Sequence, residues 1–225
     1  MENERRKKIL FTLISEYTKT AQPVSSGLLA KKYSLGVSPA TIRNEMMALE
    51  EDGFIYQPHT SAGRVPSELG YLEQIKNFSN SWPKLKCEKL NEALKKEEDL
   101  RKVAKILSEF SRNAVFWAFH KNDLYYTGLS NLFSKPEFKE SDAVCDMSLV
   151  IDRMEEIIDN IFNDLEDEIV FKVGSDNPFA PFLGTVFLKY RDNKQSGLCG
   201  ILGPMRMDYA KSAALLEIIN NNFKK

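Results

Sequence analysis

Apolar residues near the start of the chain recur at intervals of three and four, which is the spacing of one face of an α-helix. The first such face is formed by Ile9, Leu10, Leu13, Ile14 and Tyr17. A proline breaks the chain soon afterwards, so the pattern predicts one helix that ends before it.

Two further helices follow at short intervals, and each begins with a recognisable start signal. Ser25 can cap a helix N-terminus, and Gly36 is expected to end the helix that Ser25 begins. Ser38 is a second N-cap, Pro39 takes the first helical position, and Gly53 closes this third helix. The short connection between the second and third helices predicts a helix-turn-helix.

The third predicted helix has two different faces. Ile42, Met46 and Leu49 fall on one side and are expected to pack on the first two helices. The other side is small, polar and cationic, which suits a major groove, because Arg can bind guanine and Asn can bind adenine. The candidate DNA contacts on this helix are Ser38, Ala40, Thr41, Arg43, Asn44 and Met47. A solvated face is the alternative for one isolated helix, but the helix-turn-helix favours DNA binding.

A hairpin is predicted directly after this helix. "FIYQP" can form one strand and "GRVP" its returning partner, with a small polar tip between them. A hairpin beside a helix-turn-helix is a wing, which can reach a flanking phosphate or the minor groove. The candidate wing contacts are His59, Thr60, Ser61 and Arg64. For His59 the alternative is an ordinary exposed loop histidine. A further helix capped by Ser67 is expected after the hairpin.

A charge-rich stretch without Gly or Pro extends from residue 84 to about 113 and predicts a linker helix. Its apolar residues have three-four spacing, as at a helix–helix seam. Two interpretations fit this spacing, a seam between two copies of the chain and a helix packed on its own domain. The candidate assembly residues in this stretch and on the last predicted helix are Leu100, Val103, Leu107, Phe110, Leu215, Ile218 and Ile219.

Strand patterns dominate the second half of the chain. They are "AVFWAF", "DLYYTGL", "EIVFKVG", "GTVFLKYRD" and "GLCGILGP". One helix is predicted from about Met147 to Leu165 and another from about Asp208 to Asn222. The predicted fold class is therefore α+β, with a winged helix-turn-helix at residues 1–80, a linker helix at 81–113 and a sensor-like α+β domain at 114–225.

Composition agrees with an ordinary globular protein, since 43% of the residues are hydrophobic. The net charge of −1 neither supports nor excludes binding to nucleic acid, because the distribution of charge matters more than its total. Three widely spaced cysteines suit a reducing cytoplasm and provide no disulfide framework. The start, "MENERRKKIL", lacks a signal-peptide core, and no apolar run is long enough to span a membrane. A cytoplasmic chain that does not contact membranes is expected.

Catalytic motifs are lacking, and no metal or cofactor is expected. The chain has two histidines that are far apart, and it has no P-loop, nucleophile elbow or His-Glu-x-x-His motif. "GLCGILG" is interpreted as a strand that enters a turn, with Cys199 as a buried structural cysteine rather than a redox-sensitive thiol. In "RMDYAK", Arg206 and Asp208 are expected to tie the last helix to the sheet, and a polar ligand-binding cluster is the alternative.

Three stretches resemble the HrcA-type heat-inducible transcription repressors. They are "PVSSGLLAKKYSLGVSPATIRNEMMALEEDGFIYQPHTSAGRVPSELGY", "GLSNLFSKPEF" and "GILGPMRMDYAKSAALLE", the last with Met205 where the family usually has Thr. The resemblance implies a winged helix, a GAF-like second domain and an inverted-repeat operator upstream of chaperone genes. It also implies a homodimer and a GroEL-type chaperonin as partner. Family members usually carry a dimerising domain between the "AVFWAF" strand and the "GLSNL" stretch, and here only a few residues join them.

Three classes of function follow from these observations. The leading one is a sequence-specific DNA-binding repressor of heat-shock genes whose second domain senses or assembles. The alternative is a ligand-gated transcriptional regulator that binds a small molecule in its GAF-like domain. An enzyme built on the second domain is the third class, and it has the least support.

Overall fold

The computed structural model describes residues 2–78, 82–95, 99–120, 123–139, 141–162, 169–191 and 196–224. The chain divides into two compact units, Met1–Ser79 and Asn80–Lys225. The first unit is mainly helical and the second is built around a five-stranded sheet, so the fold class is α+β as predicted.

The first unit contains four helices and one short hairpin in its described residues. They are α1 (Glu2–Thr20), α2 (Ser26–Lys32), α3 (Pro39–Glu51), β1 (Ile55–Tyr56), β2 (Val65–Pro66) and α4 (Glu68–Phe78). All three predicted N-caps are confirmed. The hydroxyl of Ser25 accepts from the Leu28 N–H and that of Ser38 from the Thr41 N–H, each at 3.1 Å, and the hydroxyl of Ser67 accepts from the Gly70 N–H at 3.2 Å. These caps satisfy N–H groups that have no partner within the helix.

Apolar side chains from all six elements and from Val24 close the core of the first unit. Its buried members include Ile9, Leu10, Leu13, Ile14, Val24, Leu29, Ile42, Met46, Leu49, Ile55, Val65 and Tyr71. The predicted apolar face of α3 therefore points inward, which leaves its opposite face to solvent. β1 and β2 pair antiparallel, with Tyr56 opposite Val65.

Two buried carboxylates stabilise the packing of α1 on α2 and α3. Glu16 accepts hydrogen bonds from Lys32 Nζ at 2.7 Å and from the Tyr33 hydroxyl at 2.5 Å, and these bonds hold its pKa below the ordinary value. Burial on its own would raise the pKa of Glu45, but hydrogen bonds from Arg5 and Arg6 outweigh burial and lower it. Both side chains therefore prefer to be ionised in the folded protein.

These shifts predict that acid destabilises the first unit. A carboxyl whose pKa is lower in the folded state stabilises the fold above its unfolded pKa, here about 4.5, and this contribution disappears as the pH falls through the folded pKa. We expect the thermal midpoint, followed by far-UV circular dichroism, to fall as the pH is lowered below about 4.5. Glu16→Gln should flatten this dependence, and Glu155→Gln, an exposed carboxyl on the second unit, should not. An unchanged pH dependence in Glu16→Gln would show that Glu16 does not contribute.

The second unit has an antiparallel sheet with strand order β4-β3-β7-β6-β5. Its elements are α5 (Glu88–Lys95), α6 (Leu100–Ser111), β3 (Ala114–His120), β4 (Asp123–Thr127), α7 (Leu129–Phe133), α8 (Ser141–Asp152), α9 (Met154–Ile161), β5 (Ile169–Val173), β6 (Leu183–Arg191), β7 (Ser196–Pro204) and α10 (Tyr209–Phe223). A 3-10 turn at Pro136–Phe138 follows α7.

Helices cover both faces of this sheet. Phe116 and Phe187 lie on one face, in a core to which α7, α8 and α9 contribute. The helices α5, α6 and α10 pack together, and α6 and α10 contact the strands on the opposite face. The central strands β6 and β7 are therefore almost completely buried, which explains their nearly continuous apolar sequence.

Two helix predictions in the second half are wrong in detail. Residues 84–87 are not helical, α5 ends at Lys95, and α6 has a separate start that is capped by Asp99. The stretch is thus no single linker helix, and both helices belong to the second unit. The helix expected from Met147 to Leu165 is two helices that break at Arg153, and residues 163–165 lie outside the described part.

Four of the predicted assembly contacts are also wrong. Val103, Leu107, Leu215 and Ile219 are at most 1% exposed, because they form the core between α6, α10 and the sheet. They are therefore unavailable to a second copy of the chain. Leu100 and Ile218 are partly exposed and Phe110 is 38% exposed, so only these three remain candidates.

The connection between β3 and β4 leaves no room for an inserted domain. β3 ends at His120, β4 begins at Asp123, and these two residues pair in the hairpin. Lys121 and Asn122, which stand between them in the sequence, lie outside the described residues. This short connection agrees with the small number of residues that join the "AVFWAF" strand to the "GLSNL" stretch.

Candidate nucleic-acid interface

The exposed face of α3 carries the predicted base-reading residues. Ala40, Arg43, Asn44 and Met47 are all exposed, and Met47 retains 49% of its accessible surface. Within the described part of the chain, the side chains of Arg43 and Asn44 have no hydrogen-bond or ion-pair partner. Their donors and acceptors are therefore available to a ligand.

The start of α3 is held by two further candidates. Ser38 caps the helix, and its hydroxyl lies 2.9 Å from that of Thr41. Both hydroxyls are thus occupied within the chain, although each retains some access to solvent. The N-terminal turn of α3, which carries the positive end of the helix dipole, is fixed and accessible.

The tip of the hairpin is ordered by a residue that the sequence did not single out. Gln57 Nε2 donates to the backbone oxygens of Thr60 and Ala62, each at 2.9 Å. The tip is closed by a 2.8 Å hydrogen bond from the Ala62 N–H to the His59 oxygen. His59, Thr60 and Ser61 are consequently presented to solvent on a closed turn.

The base of the hairpin is locked to the segment before α2. Val24 and Arg64 exchange two backbone hydrogen bonds of 2.8 Å. The backbones approach so closely at Gly63 that a Cβ there would lie 2.5 Å from the carbonyl carbon and oxygen of Val24. Only glycine fits at this position, which explains the Gly before the Arg.

Arg64 has a structural role that the sequence did not indicate. Its Nε donates to Glu50 Oε2 at 2.8 Å, and the side chain is only 19% exposed. Glu50 lies in the last turn of α3, so the pair joins the hairpin to that helix. A contact between Arg64 and phosphate stays a prediction.

A cleft of about 390 Å³ lies between α3 and the hairpin. Its lining includes Arg43 and Met47 from the helix and Thr60, Ser61 and Arg64 from the hairpin. The structure thus brings together five of the ten predicted contacts around one concave surface. Ser38, Ala40, Thr41, Asn44 and His59 are not among the residues that line this cleft.

A family model described as the HrcA protein C-terminal domain matches residues 65–212, which is more than half of the chain. The chain belongs to the HrcA family. Its resemblance to that family, inferred from three sequence stretches, is thereby confirmed.

Curated relatives in the HrcA family are named heat-inducible transcription repressors. The one from Carboxydothermus hydrogenoformans is 27% identical, and the match covers 98% of this chain and 96% of the relative. That alignment extends over 333 positions, so the relative contains a large amount of sequence with no counterpart in these 225 residues. The relative from Pelotomaculum thermopropionicum is 62% identical over 69 residues, which are 31% of this chain and 20% of the relative.

A solved structure shares the fold of this HrcA-family chain. It is a crystal structure of a hypothetical protein with a TM-score of 0.76 and 17% sequence identity, and the match covers 98% of this chain and 97% of the other. At this identity the likeness concerns the fold alone.

No group of three or more His, Cys, Asp or Glu side chains that could hold a metal ion occurs among the described residues. Cys199 is completely buried, and burial raises the pKa of its thiol far above the ordinary value, as expected of a structural cysteine.

None of the described helices is long and apolar enough to cross a membrane.

Proposed function

We propose that this chain is a heat-inducible transcription repressor that binds DNA sequence-specifically through α3 and the adjoining hairpin. The observation that carries the proposal is the exposed pair Arg43 and Asn44, whose side chains have no partner within the described residues. Arg and Asn are the side chains that make bidentate contacts with guanine and adenine in the major groove. The names of the HrcA-family relatives support the same function.

In this proposal, residues 2–78 act as a winged helix-turn-helix. α2 and α3 are the helix-turn-helix, α3 enters the major groove, and the β1–β2 hairpin is the wing. The acidic Glu45 supports this orientation, because its carboxylate is turned into the protein and paired with Arg5 and Arg6. His59, Thr60 and Ser61 would contact a flanking phosphate or the minor groove, and Arg64 would hold the wing in place.

The second unit would serve assembly and act as the GAF-like domain of the family. An inverted-repeat operator has two half-sites, and each needs one DNA-binding domain. The two domains must lie on one face of the duplex, about 34 Å or a multiple of that apart, so we propose a homodimer. The remaining candidate contacts are Leu100, Phe110 and Ile218, which keep some exposure. We also propose that the protein regulates chaperone genes, has a GroEL-type chaperonin as partner and is located in the cytoplasm. The proposal includes no catalytic activity.

A ligand-gated regulator is the second candidate, but the curated relatives favour the repressor. They are named for induction by heat and not for a small molecule. For this reason temperature is proposed as the signal.

Selection from a pool of random duplexes tests DNA binding, specificity and symmetry together. We expect the full chain to enrich an inverted repeat and to lose affinity steeply as salt rises, because each phosphate contact releases a counterion. Retention of the selected duplex should also decrease when the temperature is raised.

Enrichment of no sequence, or binding with no salt dependence, would contradict the repressor. If the enriched site has no two-fold symmetry, the proposal of sequence-specific DNA binding stands. The proposal that a homodimer binds one operator is then contradicted. A variant that lacks the α3 donors, Arg43→Ala with Asn44→Ala, is the matched negative control in the same selection.

A further inference from the structure

The side chain of Arg64 is held by only one of its three nitrogens. Its Nε donates to Glu50 Oε2 at 2.8 Å, and Glu50 lies in the last turn of α3. Within the described part of the chain, Nη1 and Nη2 of Arg64 have no hydrogen-bond partner. Both nitrogens keep access to solvent, because neither is among the buried polar atoms of the described residues that lack a hydrogen bond. The end of the guanidinium is therefore available to a ligand.

The backbone at Arg64 is fixed as well. Val24 and Arg64 exchange two backbone hydrogen bonds of 2.8 Å, and the close approach at Gly63 leaves no room for a Cβ. Arg64 directly precedes β2, at the base of the hairpin, and its side chain is only 19% exposed. An arginine that enters the minor groove must project from the protein surface. Arg64 is therefore placed for a phosphate that passes over it and not for base edges.

The cleft between α3 and the hairpin has the charge that a phosphate requires. Arg43 and Arg64 are the two cations in its lining, and none of the described residues that line it is acidic. Glu50 is not among the lining residues, although it contacts Arg64. The carboxylate thus holds the guanidinium from outside the cleft, and the surface of the cleft itself attracts an anion.

Glu50 acts on the affinity of this cleft for phosphate in two opposing ways. Its negative charge lowers the attraction between this region and DNA. Its hydrogen bond fixes a long side chain that would otherwise lose rotamer freedom on binding, and such a loss weakens binding. Because the bond uses Nε alone, it leaves Nη1 and Nη2, which can donate in parallel to one phosphate.

We propose that Glu50 is a positioning residue, which fixes Arg64 so that Nη1 and Nη2 bind one phosphate of the DNA backbone. This role rests on the DNA-binding function proposed above and adds to it a residue that does not contact DNA itself. A phosphate contact carries no sequence information, so the pair strengthens binding to every duplex, in contrast to Arg43 and Asn44. The net effect of Glu50 is to raise the affinity for DNA although the side chain is acidic.

Two substitutions at Glu50 test this role by the sign of their effects on operator binding, measured by fluorescence anisotropy with the full chain at constant ionic strength. Charge repulsion alone predicts that Glu50→Gln and Glu50→Ala both bind more tightly than the wild type. Positioning predicts that they differ. Gln keeps an oxygen that can accept from Arg64 Nε, so Glu50→Gln should bind at least as tightly as the wild type. Glu50→Ala frees the Arg64 side chain and should bind about threefold to tenfold more weakly.

Glu51→Ala is the matched control for these substitutions. It removes an exposed carboxylate from the next residue of α3, which has no contact with Arg64. This variant should not weaken binding to the operator. Arg64→Ala should weaken binding to all duplexes alike and lower the salt slope by about one unit, since one phosphate contact is lost.

Operators in which single phosphates are replaced by uncharged methylphosphonates locate the contact. We expect one position at which the replacement weakens wild-type binding about tenfold, which corresponds to the loss of one charge-assisted hydrogen bond. Arg64→Ala should be insensitive to the replacement at that position and Glu50→Ala much less sensitive than the wild type. Glu50→Gln should respond like the wild type. A merely structural role of Glu50 would leave this sensitivity unchanged in Glu50→Ala.

Three results would overturn the proposal. The first is operator binding by Glu50→Ala that is as tight as that of the wild type or tighter. The second is full sensitivity of Glu50→Ala at the position that Arg64 contacts. The third is loss of several sensitive positions together in Glu50→Ala, which would show that Glu50 supports the whole hairpin. In all three cases the wild type still binds its operator, whereas a wild type that binds no DNA would contradict the proposed function as well.

Discussion

Arg43→Ala and Asn44→Ala are each expected to weaken binding of the selected operator by about 1–3 kcal/mol, the value of one bidentate base contact. Both side chains project from the exposed face of α3 and are free of partners in the described part of the chain. Because neither side chain supports the fold, their removal should leave the free energy of unfolding nearly unchanged.

Fluorescence anisotropy with the selected operator and an unrelated duplex of equal length separates specific from non-specific binding. Asn44→Ala should bring the two affinities closer together, since an amide contributes little to phosphate attraction. Glu51→Ala, at the exposed C-terminal end of α3, is the matched control and should lose no specificity. If both alanine variants discriminate like the wild type, α3 is not the element that reads the bases.

Gly63→Ala is expected to disrupt the hairpin. The added Cβ would lie 2.5 Å from backbone atoms of Val24, and backbone cannot move aside as the end of a flexible side chain can. The two hydrogen bonds between Val24 and Arg64 would have to lengthen, and overpacking of this kind costs about 1–3 kcal/mol. We expect a corresponding loss in the free energy of unfolding and, because the wing is displaced, weaker operator binding.

Gly27→Ala is the matched control for this substitution. Gly27 lies within α2, and the nearest atom to its added Cβ is 4.0 Å away. Alanine is the better helix former by up to about 1 kcal/mol, so this variant should be as stable as the wild type or more stable. The free energies of unfolding of both variants and of the wild type are measured by urea denaturation. If Gly63→Ala is as stable as the wild type, the close contact between Gly63 and Val24 is ruled out.

Local signals predicted the first unit well. Caps at Ser25 and Ser38 and the turn at Gly53 depend on residues next to them in sequence, so the helix starts and the hairpin could be located without tertiary information. The strands of the second unit were recognisable for the same reason, since their apolar and β-branched runs are bounded by polar turns.

Tertiary contacts explain where the sequence predictions failed. An apolar helix face has the same spacing whether it packs on its own sheet or on a second chain, so Val103 and Leu215 could not be assigned to the core from periodicity alone. The sequence at the break between α8 and α9 contains neither Gly nor Pro, so it gives no signal that the helix ends there. The pairs Arg64–Glu50 and Arg206–Glu137 join residues that are distant in sequence, and charge alone does not reveal which residues meet.

Hydrogen exchange of the full chain, with and without the selected operator, tests the central claim most directly. DNA binding through α3 and the wing predicts slower exchange of amides in residues 38–47 and 57–64, with α4 and the sheet of the second unit much less affected. Competitor duplex of unrelated sequence should give weaker protection of the same residues. Protection confined to the second unit, with none in residues 38–47, would contradict the account.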